Sequence, residues 1–402
     1  MNRILILTVV YDDIIRSVYS QNPSLVNQSY SEQKKTVDRD ISIWVSGWEN
    51  ALVNKGWEVF TITINVKELI VQWAKENSIE TASLAEIVFQ QIKRFKPEIL
   101  WYDYFDLKLI NRIKTEIDSI KIILGWTGSA IVDYNILQNM DLVLSCAPEV
   151  VNKLNSIGIK SRHIHHAFNP LLLERRQNKI IKEDFIFIGQ IYRGSDFHSN
   201  REKLLKELVN KLDLKIYSPT YYLGTKQIAL SVLKKFGYFI LFPLKELKIV
   251  ENSIAKNNYL QEIMRSKNRS IFSYDRFLKK KMYPPVFGRD MYYKLAQSKL
   301  VLNVHADSSP EYASNMRLFE TTGVGTCLLT DWKKNINDLF TDGEEILTYK
   351  SVEECIEKTK WILNNDEKLK SIGENGQLKT LKKHTYDSRV EEFLRIIKTV
   401  AK

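Results

Sequence analysis

The sequence predicts an α/β protein of two facing doubly wound domains, and three observations carry the prediction. Short continuous apolar runs alternate with segments of helical period, as buried parallel strands and crossover helices do. The alternation breaks at His165–Pro170 (HHAFNP), where a proline ends regular structure, and begins again at Asp184. A chain of 402 residues, 44% of them hydrophobic, is long enough to build two such cores.

Ile4–Val10 is continuous, β-branched and followed by polar residues, so it reads as the first central strand. It is too short for a signal peptide and lacks a small-residue cleavage site. A long polar segment, Tyr11–Asp40, carries no predicted element. An amphipathic helix follows at Ile43–Asn54 and a strand at Glu58–Ile64. Further strands are predicted at Glu98–Tyr102, Lys121–Gly125 and Leu142–Cys146, with helices at Thr81–Arg94 and Leu107–Glu116 between them, which closes a first domain over residues 1–170.

The second alternation takes residues 171–385. It opens with the strand FIFIG (Phe185–Gly189), a basic amphipathic helix at Ser199–Leu212 and KIYSP (Lys215–Pro219). It continues with strands at Leu300 and Thr326 and helices at Ser351–Asn364 and Asp366–His384. An insertion at about 221–285 joins an apolar, aromatic run, Ser231–Leu247, to a Lys/Arg-rich end at Arg265–Lys281. That composition suits a helical subdomain resting on an anionic membrane; the alternative is a hairpin packed on its own domain. Residues 386–402 form a last amphipathic helix.

The formal charge of +11 favours anionic partners. No arginine-rich arm, zinc-finger spacing or aromatic RNA-binding signature accompanies it, which argues against nucleic acid. Cys146, Cys327 and Cys355 lie far apart, as reduced thiols of a cytoplasmic protein would. No stretch approaches the roughly 18 apolar residues of a membrane span, so the expectation is a cytoplasmic chain, soluble or held at the inner face of the membrane.

The richest stretch is Lys299–Asp331, KLVLNVHADSSPEYASNMRLFETTGVGTCLLTD, which reads as strand, polar loop, short helix and strand. Ser314 is placed to cap the helix, which carries Asn315, Arg317 and Glu320 and stops at Gly323. Arg317 and Glu320, three apart, share a helix face. A cation in the first turn suits a diphosphate, and a carboxylate one turn deeper suits the paired hydroxyls of a ribose or sugar. The plain alternative is an exposed ion pair.

The segment N-M-R-L-F-E-x-x-G-x-G, followed by LLTD, by DLFTDGEEILTYKSVEE (Asp338–Glu354) and by HTYDSR (His384–Arg389), resembles the C-terminal half of bacterial glycosyltransferases of the GT-B fold. The resemblance is nearest to the branch named for CgeB spore-maturation proteins. It implies two Rossmann-like domains with a donor cleft between them and a last helix crossing back to the first. It also implies Glu320 on the donor ribose, a phosphate-facing loop at Gly189 with Arg193 or Arg201, and Gly288 in a backbone cradle for the base. Tyr217, at the end of KIYSP, is placed among the donor-binding residues. The retaining enzymes of this fold carry a second glutamate eight residues before the first; here Tyr312 stands there and Glu311 one step off.

The expected reaction is transfer from a nucleotide-diphosphate sugar to a cell-surface glycan, lipid-linked or protein acceptor, with a retaining outcome favoured over an inverting one. Arg317 is assigned to the leaving diphosphate. Asp12 and Asp13, after the first strand, are candidates for base or acceptor ligand, unless they merely follow a strand. Trp126 and His166 are acceptor-side candidates, and His305 reads as a structural hydrogen-bonder. No cofactor beyond the donor is expected. No metal is expected either, since H-E-x-x-H and C-x-x-C spacings are absent and Asp103-Tyr104-Phe105-Asp106 has the wrong spacing for D-x-D. The alternatives are a nucleotide-sugar epimerase or hydrolase of the same fold, or a non-catalytic surface-assembly or nucleic-acid-binding protein.

Overall fold

Ile4, Leu5, Ile6 and Leu7 have no exposed surface, which fits the central strand of a sheet covered on both faces. In the computed structural model this strand, β1 (Arg3–Thr8), lies between β2 (Glu58–Thr63) and β3 (Ile99–Tyr102). β4 (Ile122–Thr127), β5 (Leu142–Ser145) and β6 (Ser161–His163) complete a six-stranded parallel sheet in the order β2-β1-β3-β4-β5-β6. The structure describes residues 2–400 except 81–82, 129–133, 174–179, 192–198, 223–224, 246, 248–249, 251–252, 254–256, 258–259, 261–262, 265–275 and 308.

The second sheet is also six-stranded and parallel. It contains β7 (Glu183–Ile188), β8 (Lys215–Tyr217), β9 (Met282–Tyr283), β10 (Ser298–Asn303), β11 (Cys327–Asp331) and β12 (Leu347–Tyr349), in the order β12-β11-β10-β7-β8-β9. Both orders reverse direction once, between β1 and β3 in the first sheet and between β7 and β10 in the second. At such a reversal two strand-to-helix loops leave in opposite directions and open a crevice at the carboxyl ends.

The helix Tyr386–Val400 follows the second domain in sequence and joins the core of the first. Phe393 stacks on Trp101 at 5.4 Å and packs on Trp48 at 5.3 Å. The seam is pinned where Phe168 N donates to the His384 carbonyl at 2.8 Å. Gly323 packs against the Phe168 ring where a Cβ would overlap it.

The polar segment Tyr11–Asp40 departs from expectation by folding into helices. Asp12–Gln21 and Tyr30–Thr36 are α-helical, and Val37–Ile41 forms one π turn. Few apolar residues mark this region, but Ile15, Val37 and Ile41 are buried with Val66 and Leu69 in a satellite core. Val66 and Leu69, from beyond the segment, complete that core.

Candidate active site at the facing strand ends

The reversal in the second sheet gathers cations. Arg201, in the first turn of the Ser199–Val209 helix, donates from Nη1 to the Gln190 carbonyl at 2.8 Å and from Nη2 to the Val304 carbonyl at 2.6 Å. It thus ties the loop after β7 to the loop after β10. Burial lowers its pKa to about 10 against the pull of Asp331 and Asp307, so the guanidinium stays charged at neutral pH.

Arg317 opens the short Arg317–Gly323 helix. Its Nη2 donates to the Ile188 carbonyl at 3.3 Å, beside Gly189, and its Nη1 lies 2.8 Å from Glu320 Oε2. The other Glu320 oxygen accepts from the Tyr292 hydroxyl at 3.0 Å. The Arg317–Glu320 pair is therefore buried, with side-chain exposures of 13% and 7%, and is not the exposed surface pair of the plain alternative. Ser314 does not cap the helix; Asn315 Oδ1 accepts from Arg317 N at 3.0 Å instead. Asn315 Nδ2 reaches Asn303 Oδ1 at 2.8 Å, which anchors the helix start on the end of β10.

His305 lies on the same strand end. Its Nδ1 is 2.7 Å from Asp331 Oδ1, and its Nε2 is buried with no hydrogen-bond partner. Burial alone would raise the Asp331 carboxyl, but His305 and then Lys333 outweigh it and hold the carboxyl well below its usual range. The Asp331 contact fits the structural hydrogen-bonder of the sequence reading, whereas the idle Nε2 does not.

The facing reversal, between β1 and β3, is marked by Asp103. Its carboxylate accepts from the Thr8 hydroxyl at 3.0 Å, and its backbone N donates to the Leu7 carbonyl at 2.8 Å. Burial raises its pKa to about 7, partly offset by the Thr8 hydroxyl. A carboxyl poised near neutrality at a crevice is a functional-site signal. Sequence reading considered Asp103 only as a metal ligand.

The remaining candidates are dispersed. Asp12 and Asp13 are exposed and held within the first domain, by Asn65 and Arg16. The Tyr217 hydroxyl turns to Glu183 at 2.7 Å, within a cluster with Lys215 and Lys294 and out of the Arg317 group. Gly288 has φ +51° and lies so close to the Asp40 carbonyl that a Cβ would overlap it, which is a contact between the domains. Trp126 packs edge-on against His166 at 5.4 Å beside the first core. Arg193 lies outside the described residues. Among the described residues no three His, Cys, Asp or Glu side chains converge as a metal site would require.

Two features of the cleft have no local sequence signal. Glu149, in the first turn of Pro148–Ser156, accepts from Ser309 Oγ at 2.8 Å, Glu311 N at 3.0 Å and Tyr312 N at 3.1 Å. This clasp joins the carboxyl ends of the two sheets. A cavity of about 320 Å³ at the seam is lined by residues of both domains, including Lys35, Arg39, Asn169 and Arg289, but by neither Arg317 nor Glu320.

Residues 241–395 match the model of a family described as glycosyl transferase-like. Among solved structures, a glycosyltransferase from Rickettsia africae ESF-5 is similar with a TM-score of 0.54 at 10% identity, over 100% of this chain and 99% of that one. The sucrose-phosphate synthase (tll1590) of Thermosynechococcus elongatus is similar with a TM-score of 0.51 at 11% identity, over 100% and 99%. Anabaena Alr3699/HepE, solved in complex with UDP and glucose, is similar with a TM-score of 0.51 at 11% identity, over 99% and 100%. No curated protein sequence matches the chain. At such identities the likeness is one of fold, and it covers both domains and the cleft between them: the chain has the GT-B fold, and its second domain carries a glycosyl transferase-like segment.

Proposed function

We propose that the protein transfers a sugar from a nucleotide-diphosphate donor to an acceptor hydroxyl. The observation that carries this reading is the convergence of Arg201 and Arg317 at the reversal of the second sheet, while the buried carboxyl of Asp103 marks the reversal of the first. Two cations held by backbone carbonyls are preorganised for the charge that grows on a departing diphosphate, with no metal needed as counter-charge. Glu320, one turn below Arg317, is assigned to the donor ribose. A donor of this class is supported by the similar Alr3699/HepE, which was solved with UDP and with UDP-glucose.

Within glycosyltransferases, the order of motifs from Asn315 to Arg389 supports the CgeB-like branch; retention at the anomeric carbon is the outcome assigned, with Tyr312 in place of the second glutamate of the retaining pattern. In a same-face transfer the departing phosphate oxygen takes the acceptor proton, so the first sheet needs only to present the hydroxyl. Asp103 is assigned to that contact. The acceptor is read as a cell-surface glycan, lipid-linked or protein hydroxyl, and the protein as a cytoplasmic one.

The test is hydrolysis of UDP-, GDP- and dTDP-sugars without acceptor, in the presence of excess chelator. Release of free sugar from one donor supports the reading, and no turnover with any donor defeats it. NMR of the product anomer then checks the stereochemistry; an inverted product would reassign Asp103 as the base.

A further inference from the structure

The insertion carries a helix that is amphipathic in the inverse sense. Over Thr225–Leu241, the residues buried toward the protein include Lys234 and Tyr238, while Gly237 packs against Ile263. The outward face is apolar: Val232, Leu233, Phe236, Phe239 and Ile240 are 40–68% exposed. At 100° per residue these five lie within an arc of about 120°, so they form one continuous stripe. The stripe runs on into the turn Phe242–Leu244, where Phe242 and Leu244 are also exposed. Isolated surface hydrophobes are ordinary, but a contiguous stripe with three phenylalanines marks a contact surface.

Its charge indicates what covers it. Residues 225–245 contain four lysines and no carboxylate. The Lys245 ammonium sits 4.4 Å from the centroid of the Phe242 ring, at the end of the stripe. Lys234 is turned inward and Glu246 follows directly, so Lys245 is the cation at the end of the stripe. Apolar side chains bordered by such a cation complement an anionic bilayer surface, where rings enter the acyl boundary and ammonium groups stay among phosphates. No helix among the described residues is long and apolar enough to cross a membrane.

We propose that the Val232–Ile240 face and Lys245 dock this protein on anionic lipid. The docking surface stands apart from the Arg201–Arg317–Glu320 group and does not depend on the transfer reaction.

Flotation of the full chain with phosphatidylcholine vesicles, with and without phosphatidylglycerol, tests the proposal. The chain is expected to float with the phosphatidylglycerol vesicles and to lose binding as salt rises. Phe236→Asp with Phe239→Asp should cut binding by at least about tenfold. Lys245→Glu should remove the preference for phosphatidylglycerol. Circular dichroism checks folding, and Phe236→Ser replaces the double variant if that fails to fold. The proposal is overturned by a chain that ignores both vesicle types, by binding that the phenylalanine variants leave unchanged, or by a dimer in light scattering that those variants dissolve, which would make a second copy the occupant.

Discussion

Glu320 gives one oxygen to Tyr292 and the other to Arg317, yet a carboxylate has about four acceptor positions, so two hydrogen bonds leave room for a ribose. Replacing it with alanine would strand a buried guanidinium, at a cost of about 3–5 kcal/mol that confounds any binding measurement. Glu320→Gln keeps the shape and is the better probe. It should weaken nucleotide-diphosphate binding by about 1–3 kcal/mol in calorimetry while leaving the far-ultraviolet dichroism intact. Asp103 lends itself to a stability test. With a folded pKa of about 7 against an ordinary 3.8, it binds its proton more tightly in the native state. Its contribution is complete below the ordinary value and is lost as pH rises to the folded one. Asp103→Asn should therefore raise the melting free energy by about 1–3 kcal/mol at pH 8, and by much less at pH 4. Equal effects at the two pH values would reject the raised pKa.

At the scale of elements, strands were legible where burial is two-sided. Ile99–Tyr102 has four buried residues in a row, and such runs look the same in sequence as in the fold. The segment from Asp12 to Ile41 was not legible, because its apolar residues are scattered among polar ones and the core they form is completed by Val66 and Leu69, distant in sequence. The site divides in the same way. Arg317 and Glu320 were visible as neighbours on one helix, but their burial depends on Tyr292 and Ile188. Asp103 and Glu149 gain meaning only from strand order and domain pairing, which no local pattern records. The last helix was legible from its apolar spacing, and its energetic weight can be measured. Phe393, fully buried against Trp48 and Trp101, should cost about 3–5 kcal/mol on mutation to alanine, seen as a lower denaturant midpoint.

At the scale of the whole molecule, the domains meet at a seam rich in neutral histidines. Burial, followed by neighbouring Arg389, lowers both His166 and His384 to about 4, and burial with His163 lowers His165 to about 2. A histidine whose folded pKa is lowered binds fewer protons in the native state, so stability is complete above the ordinary 6.5 and falls as pH drops toward 4. Thermal melts should lose several degrees between pH 7.5 and 5, and a flat profile would count against a neutral seam. The Glu149 clasp is a second link between the domains. Glu149→Ala removes the acceptor for the Glu311 and Tyr312 amides, whose protection in hydrogen exchange should fall by about tenfold to a hundredfold. Unchanged protection would mean that the clasp does not hold the cleft.

The return of the last helix has a consequence for biosynthesis. Val390, Phe393 and Ile397 complete the core around Ile4, Trp48 and Trp101, but they leave the ribosome some 220 residues after the first domain's own last strand, β6. At about 5–20 residues per second, the nascent domain shows uncovered tryptophan surface for roughly 10–45 s while the entire second domain is made. Strict domain-by-domain folding during translation is thus closed to this chain. The first domain waits, sticky and unfinished, for the last residues to arrive, which makes it a natural client of chaperones that shield apolar surface.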